Sequence, residues 1–277
     1  MGKRIFSTVL LWAGVFAVLW FFRTPGAVVV LAALSALTLR EFYRLQSGAG
    51  REPFAKLGMA FGALITAGPF LEAKYGVPNH ILLPVAILVF CVRILSEREP
   101  AQRVDALAAT VFGLVYVSLL LSYLTRVVTP LPGDAISPNG RLVLSVWVVA
   151  AAKFCDTGAL LSGMAFGRTP MAPVTSPKKT WEGAIGGIAI SSGVAAFIAW
   201  LARPALGTLL SPGKAALIAI PVAVAAIISD LIESMIKRQA ALKDSGAAIP
   251  GIGGIFDLTD SLLLAAPLAF ILLGLRT

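Results

Sequence analysis

Nine apolar stretches recur along the chain, separated by short polar ones. A bilayer hydrocarbon core of about 30 Å takes about 20 apolar residues as a helix, so this rhythm predicts membrane-spanning helices. The segments fall at 5–22, 26–45, 57–71, 80–96, 106–128, 142–165, 184–202, 214–233 and 258–275. The third and fourth are short or interrupted by proline. In the third, Gly58 and Gly62 have the four-residue spacing of small side chains that lets helices approach closely. The first segment follows Lys3 and Arg4, as a signal peptide would. Its apolar run is long for such a peptide and ends in F-F-R-T-P-G without a small-x-small cleavage site, so it reads as a retained helix.

Composition agrees with an all-α, polytopic integral membrane protein. Of 277 residues, 58% are hydrophobic and 13% charged, with a mean hydropathy of +0.88, against about 25% charged in soluble domains. The polar stretches are too short to build a separate core, and no internal repeat competes, so one membrane domain is expected. Cys91 and Cys155 both lie in apolar runs and read as free thiols packed as small hydrophobes.

Lysine and arginine near span ends stay on the cytoplasmic side. Fifteen fall on the N-terminal side of the nine-span scheme and seven on the other, which puts the N-terminus in the cytoplasm. The loops holding S-P-K-K-T-W-E-G (176–183) and K-R-Q-A-A-L-K-D (237–244) then share the cytoplasmic face. The net charge of +9 is accounted for by this bias and these loops, with no nucleic-acid partner implied.

Acidic residues inside such segments are costly and usually face a polar cavity with a partner. Asp156 interrupts A-A-A-K-F-C-D-T-G, with Lys153 one turn earlier. Asp230, Glu233, Ser234 and Lys237 lie along one helical face at the end of the eighth segment. Asp257 and Asp260 open the ninth, three residues apart, with Asp244 in the loop before them. A single aspartate there would read as a helix cap, but the group suits a divalent cation with oxygen ligands. An ion pathway, or pairing with Lys237 and Arg238, remains open. Lys178, Lys179, Lys237, Arg238 and Lys243 read either as topology signals touching anionic lipid heads or, interleaved with Ser176, Thr180 and the glycines of I-P-G-I-G-G, as a phosphate site.

Two blocks, 153–187 and 228–263, resemble the phosphatidate cytidylyltransferases, also called CDP-diacylglycerol synthases. The most specific part is S-x-x-K-R-x4-K-D-S, here Ser234, Lys237, Arg238, Lys243, Asp244 and Ser245. The resemblance covers roughly residues 150 to 265, while the first 140 residues contribute hydropathy alone. It therefore divides the chain into N-terminal helices, 1–140, and a catalytic region, 141–277, within one membrane domain. It implies helices around a polar cavity open to the cytoplasm, in a bacterial inner membrane, with a homodimer as one assembly it allows. The implied reaction joins phosphatidic acid and CTP to give CDP-diacylglycerol and pyrophosphate, with Mg2+ and room for a second cation. The family's metal-binding acids fall on Asp244 and Asp257, with Asp260 as the second acid of its D-R-x-D element. Its other polar positions fall on Asp156, Ser176, Lys178, Lys179, Asp230, Glu233, Ser234, Lys237 and Arg238, and Lys243 completes the motif.

Two positions depart from the family pattern. Ile252 stands in P-G-I-G-G where a histidine is usual, and Leu258 stands in D-L-T-D where an arginine is usual. The only histidine, His80, lies near the opposite face in this topology. The acids are kept, so the resemblance implies metal binding directly. Its catalytic power depends on whether the lost groups tuned pyrophosphate release or held CTP. A CTP-dependent lipid kinase and a cation-coupled transporter are the rival functions for such a cavity. The D-G-x2-A-R-x8-G-x3-D-x3-D pattern of CDP-alcohol phosphotransferases is absent from the sequence.

Overall fold

The computed structural model describes residues 2–95, 103–131, 133–134, 136–242, 245–246 and 253–275, with the backbone alone for 2–12. The described residues are almost wholly helical. Ten helices follow in order: α1 (Gly2–Gly48), α2 (Ala55–Tyr75), α3 (Leu82–Leu95), α4 (Arg103–Gly113), α5 (Leu120–Val128), α6 (Pro138–Phe166), α7 (Trp181–Leu201), α8 (Arg203–Leu206), α9 (Pro212–Gln239) and α10 (Ile255–Leu272). A π-helical stretch, Leu114–Leu119, joins α4 to α5, and a 3-10 turn, Asn79–Ile81, carries the exposed His80 into α3. The one sheet among the described residues is an antiparallel hairpin of β1 (Pro170–Ala172) and β2 (Ser176–Thr180).

Six stretches are long and apolar enough to cross a membrane: Ala13–Gly48, Arg103–Val128, Pro138–Phe166, Trp181–Leu201, Pro212–Gln239 and Ile255–Leu272. The difference from nine has three local origins. The first two expected segments run together in α1, which leaves helical geometry at Arg23 (φ 49°, ψ −133°), two residues before Pro25. Proline has no N–H for the helical ladder, and such sites are where helices kink. α2 holds the third segment but carries more polar residues, and α3 with its 3-10 turn makes only a shorter apolar helix, Asn79–Leu95.

The chain forms two compact units, one of residues 1–129 and 236–259, the other of 130–235 and 260–277. In the first, α1 and α2 approach through glycine. A Cβ on Gly58 would lie 2.6 Å from the Tyr43 ring, and one on Gly62 would lie 2.1 Å from Leu39 Cδ1 and 2.6 Å from Ser118 Oγ. The small-residue spacing seen in the sequence thus marks a helix contact. Hydroxyls line the same region, where Ser35 and Ser118 hydrogen-bond at 2.9 Å and Thr66 donates to the Ser118 carbonyl at 3.2 Å. Ser118 lies in the π-helical stretch, where a widened turn leaves carbonyls for other donors.

In the second unit α6 packs against α7. A Cβ on Gly183 would lie 2.8 Å from the Ala159 carbonyl, and one on Gly187 2.6 Å from that of Cys155. Ser191 donates to the Ala151 carbonyl at 2.6 Å and Trp147 Nε1 to that of Ala195 at 3.0 Å, so polar groups on this contact are satisfied across it. Cys155 is a buried free thiol and Cys91 a half-buried one.

Substituting Gly62 by leucine should destabilise the protein by about 1–3 kcal/mol through overpacking, measured as a lower thermal midpoint in detergent. Gly193 faces open space on α7, and Gly193→Ala should leave the midpoint unchanged or raise it slightly. Equal midpoints for the two variants would refute the close-packing account.

Candidate functional site

The S-P-K-K-T-W-E-G stretch is the second strand of the hairpin followed by the start of α7. Thr180 caps the helix, accepting from the Gly183 N–H at 3.2 Å. Glu182, in the first turn, accepts from the backbone N–H groups of Arg168 and Thr169 at 3.1 Å each and from the Thr169 hydroxyl at 2.8 Å. The glutamate therefore ties the end of α6 to the start of α7, and the strand between presents its lysines at a fixed place. Lys178 is exposed and Ser176 half-buried, while Lys179 Nζ lies 2.5 Å from Asp230 Oδ2 on α9.

That ion pair borders an acidic cluster in the second unit. Ligand oxygens of Asp230, Glu233 and Asp260 lie within 4.8 Å of one another. Asp230 and Glu233 sit on one face of α9 because they are three residues apart, and Asp260 comes from α10. Glu233 is fully buried and Asp260 is 6% exposed. Lys153 Nζ, on α6, lies 3.4 Å from both Asp156 and Asp260. Ser261 N–H donates to Asp260 Oδ1 at 2.6 Å, and the Ser229 hydroxyl donates to the Asp260 carbonyl. Four carboxylates thus gather with two ammonium groups, and three of the carboxylates are close enough to share one small cation. An all-oxygen donor set of this charge suits a hard divalent ion. Ser234 is half-buried on the same helix as Asp230.

A second cluster belongs to the first unit. Lys237 Nζ donates to Asp257 Oδ1 at 2.7 Å. Asp257 Oδ2 accepts from the Gly254 N–H at 2.8 Å, reaching back to a donor that the first turn of α10 leaves without a helical partner. Ser245 Oγ lies 2.9 Å from Asp257 Oδ2 and 2.9 Å from Glu41 Oε2. Glu41 Oε2 also accepts from the Phe256 N–H at 2.8 Å. Arg238 is exposed on the last turn of α9. Lys243, Asp244 and Ile252 lie outside the described residues.

The site residues expected from sequence thus fall into two groups. Asp156, Lys179, Asp230, Glu233 and Asp260 come together in one, and Lys237, Asp257 and Ser245 in the other. Ser176, Lys178 and Ser234 belong to the unit of the first group, and Arg238 to that of the second. Asp257 combines the helix-capping role considered for a lone aspartate with an ion pair. Glu41 was missed. It is an acid at the end of an apolar run, the signal used for the other five, but Arg40 and Arg44 beside it make it look like part of a charged helix end.

A helical membrane protein with buried acid and lysine clusters is the class that these features define. The chain belongs to the cytidylyltransferase family, whose profile matches residues 2–275. It is 29% identical to a phosphatidate cytidylyltransferase of Synechocystis over 97% of this chain and 94% of that protein. It is 30% identical to one of Haemophilus influenzae over 96% of each chain. A chloroplastic phosphatidate cytidylyltransferase of Arabidopsis thaliana is 31% identical over 91% of this chain and 65% of its own length. The resemblance read from residues 150 to 265 therefore extends through the N-terminal helices, and the protein is a nucleotidyltransferase.

Lys153→Met would leave Asp156 and Asp260 without their shared ammonium group. Breaking such a pair should cost about 2–3 kcal/mol, at the low end for buried pairs because a fifth of the Lys153 side chain is exposed. The thermal midpoint should fall and should recover in part on adding Mg2+, because a cation would take over the neutralisation. An unchanged midpoint would show that the lysine contributes nothing to the cluster.

Proposed function

We propose that the protein transfers the cytidylyl group of CTP to phosphatidic acid, giving CDP-diacylglycerol and pyrophosphate at the cytoplasmic face of a bacterial inner membrane. The observation that carries this reading is the family match along nearly the whole chain, joined by relatives of that name over almost their full length. Nine crossings around a polar cavity open to the cytoplasm complete it. In this reading the kinked α1 supplies two, and the remaining pair are the more polar α2 and the shorter Asn79–Leu95 helix.

In the reaction a phosphatidate oxygen attacks the α-phosphorus of CTP in line with the leaving pyrophosphate. That oxygen is already ionised near neutral pH, so no strong general base is required. Rate then comes from positioning and from charge set against the phosphate oxygens. Lys178 and Lys179 serve one phosphate group and Lys237 and Arg238 the other, with Ser176, Ser234 and Lys243 completing the phosphate contacts. Asp230, Glu233 and Asp260 are the acids whose arrangement fits a divalent cation, and Asp244 and Asp257 are those the family motif assigns. When bound, Mg2+ would neutralise the triphosphate and polarise the α-phosphate. Lys153 and Lys179 offset the repulsion among the carboxylates in the free protein, and Lys179 would be the nearer of the two charges available to phosphate.

Purified protein in liposomes containing phosphatidic acid should pass label from α-labelled CTP into lipid, in a Mg2+-dependent manner. Label reaching lipid from the γ-position would instead identify a lipid kinase, and cation flux without CTP consumption a transporter. Asp244→Asn, Asp257→Asn and Asp260→Asn should each lower turnover by about 100- to 1,000-fold while the protein stays folded in the membrane. Turnover retained in any of them would remove that acid from the metal assignment.

A further inference from the structure

We infer that Glu41 is a positioning residue for this reaction, acting as a strut that sets the start of α10 and through it Asp257. Glu41 lies on α1, outside both motif blocks, yet it is 8% exposed and its carboxylate meets both the connection between α9 and α10 and the first turn of α10. On one flank Ser245 Oγ lies 2.9 Å from Oε2, and on the other the Phe256 N–H donates to the same oxygen at 2.8 Å. Ser245 is itself fully buried and touches Asp257 at 2.9 Å, so a single hydroxyl links the strut to the acid.

The space that the carboxylate occupies is kept by two glycines. A Cβ on Gly246 would lie 2.5 Å from Glu41 Oε1, and one on Gly254 would lie 2.3 Å from Oε2 and 2.0 Å from Ser245 Oγ. Any side chain at either position would push the carboxylate out. A buried anion costs several kcal/mol unless it is satisfied, and here the Phe256 N–H donates to it and the Ser245 hydroxyl lies within reach, its one proton shared between Glu41 and Asp257. The negative charge also complements the positive end of the helix. An apolar side chain here would leave the buried Phe256 N–H and Ser245 hydroxyl without this acceptor. The carboxylate instead holds the one stretch whose backbone carries Gly254, Phe256 and Asp257 in succession.

The inference rests on the reading of Asp257 as a residue of the reaction, so the test separates the two. Amide exchange over 253–257 would be followed in lipid nanodiscs beside cytidylyl transfer. In Glu41→Ala, exchange in that peptide should rise while peptides of α6 and α7 stay as they are. Its kcat should fall by about 10- to 100-fold, as for a misplaced group, with the KM for phosphatidic acid unchanged. Glu41→Gln, whose amide oxygen can take both donors, should keep kcat within about fivefold, because a neutral acceptor is weaker than a charged one but similarly placed. Gly254→Ala disturbs the same contact from the other side, and should show the same rise in exchange and fall in kcat should Glu41→Ala fail to fold. Unchanged exchange in a folded Glu41→Ala would overturn the strut. Full turnover in Asp257→Asn would overturn the functional reading and the positioning role with it. Turnover lost in Asp257→Asn but kept in Glu41→Ala would overturn the positioning role alone.

Discussion

Charge that must be carried inside an apolar protein is the constraint on which this structure turns. An isolated carboxylate in a low-dielectric surrounding is expensive, and the expense falls only when a cation or several donors meet it. Asp156, Asp230, Asp257 and Asp260 are met in this way, Asp156 by Lys153. Asp257 has Lys237, a hydroxyl and a backbone N–H; Asp260 has Lys153 and its neighbour's N–H; Asp230 has Lys179. The partners come from helices far apart in sequence, so helix packing decides whether the charges are tolerable. That is why the glycine contacts matter for function. Gly183 and Gly187 let α7 lie against α6, which fixes the strand that carries Lys179 to Asp230.

The same arrangement explains how one set of groups can serve both folding and chemistry. In the proposed reaction, ammonium groups that face carboxylates in the free protein would also be available to a triphosphate. A divalent cation carries the same charge as the two ammonium groups, Lys153 and Lys179, that meet the carboxylates, so its entry in their place would leave the charge of the cluster as it was. A cluster made only of acids would need the metal in order to fold, and one made only of bases would hold phosphate too tightly to release pyrophosphate.

Much of this was legible in the sequence, for identifiable reasons. Apolar runs report helices in a membrane because backbone groups there have no other way to be satisfied, and the described residues of the nine runs are helical over most of their length. Where the crossing count differs, the cause is local: the backbone leaves helical geometry at Arg23 in F-R-T-P-G, so that α1 is two helices joined across a kink, and the polar residues of α2 dilute its hydropathy. Acids at helical spacing pointed to Asp230 with Glu233, because a face of one helix is set by the sequence. The joining of Asp230 and Glu233 to Asp260, and of Lys179 to Asp230, depends on contacts between helices, which periodicity does not encode. Glu182 shows the opposite limit. It reads as a residue near a helix start, which it is, but its three bonds to the end of α6 need the turn of the hairpin to exist.

The departure at 258 has a place in this geometry. Leu258 lies half-buried on the first turn of α10 between Asp257 and Thr259, whose hydroxyl hydrogen-bonds that of Thr38 at 2.9 Å. An arginine there would bring a permanent cation to a turn where Asp257 already has Lys237. Lys237 belongs to the same family motif as the acids, so the family pattern holds both this lysine and the arginine, and the pair with Asp257 is kept here while the second cation is not. Consecutive residues of a helix do not face each other, so Leu258→Arg would add a cation beside the Lys237–Asp257 pair rather than replace either partner.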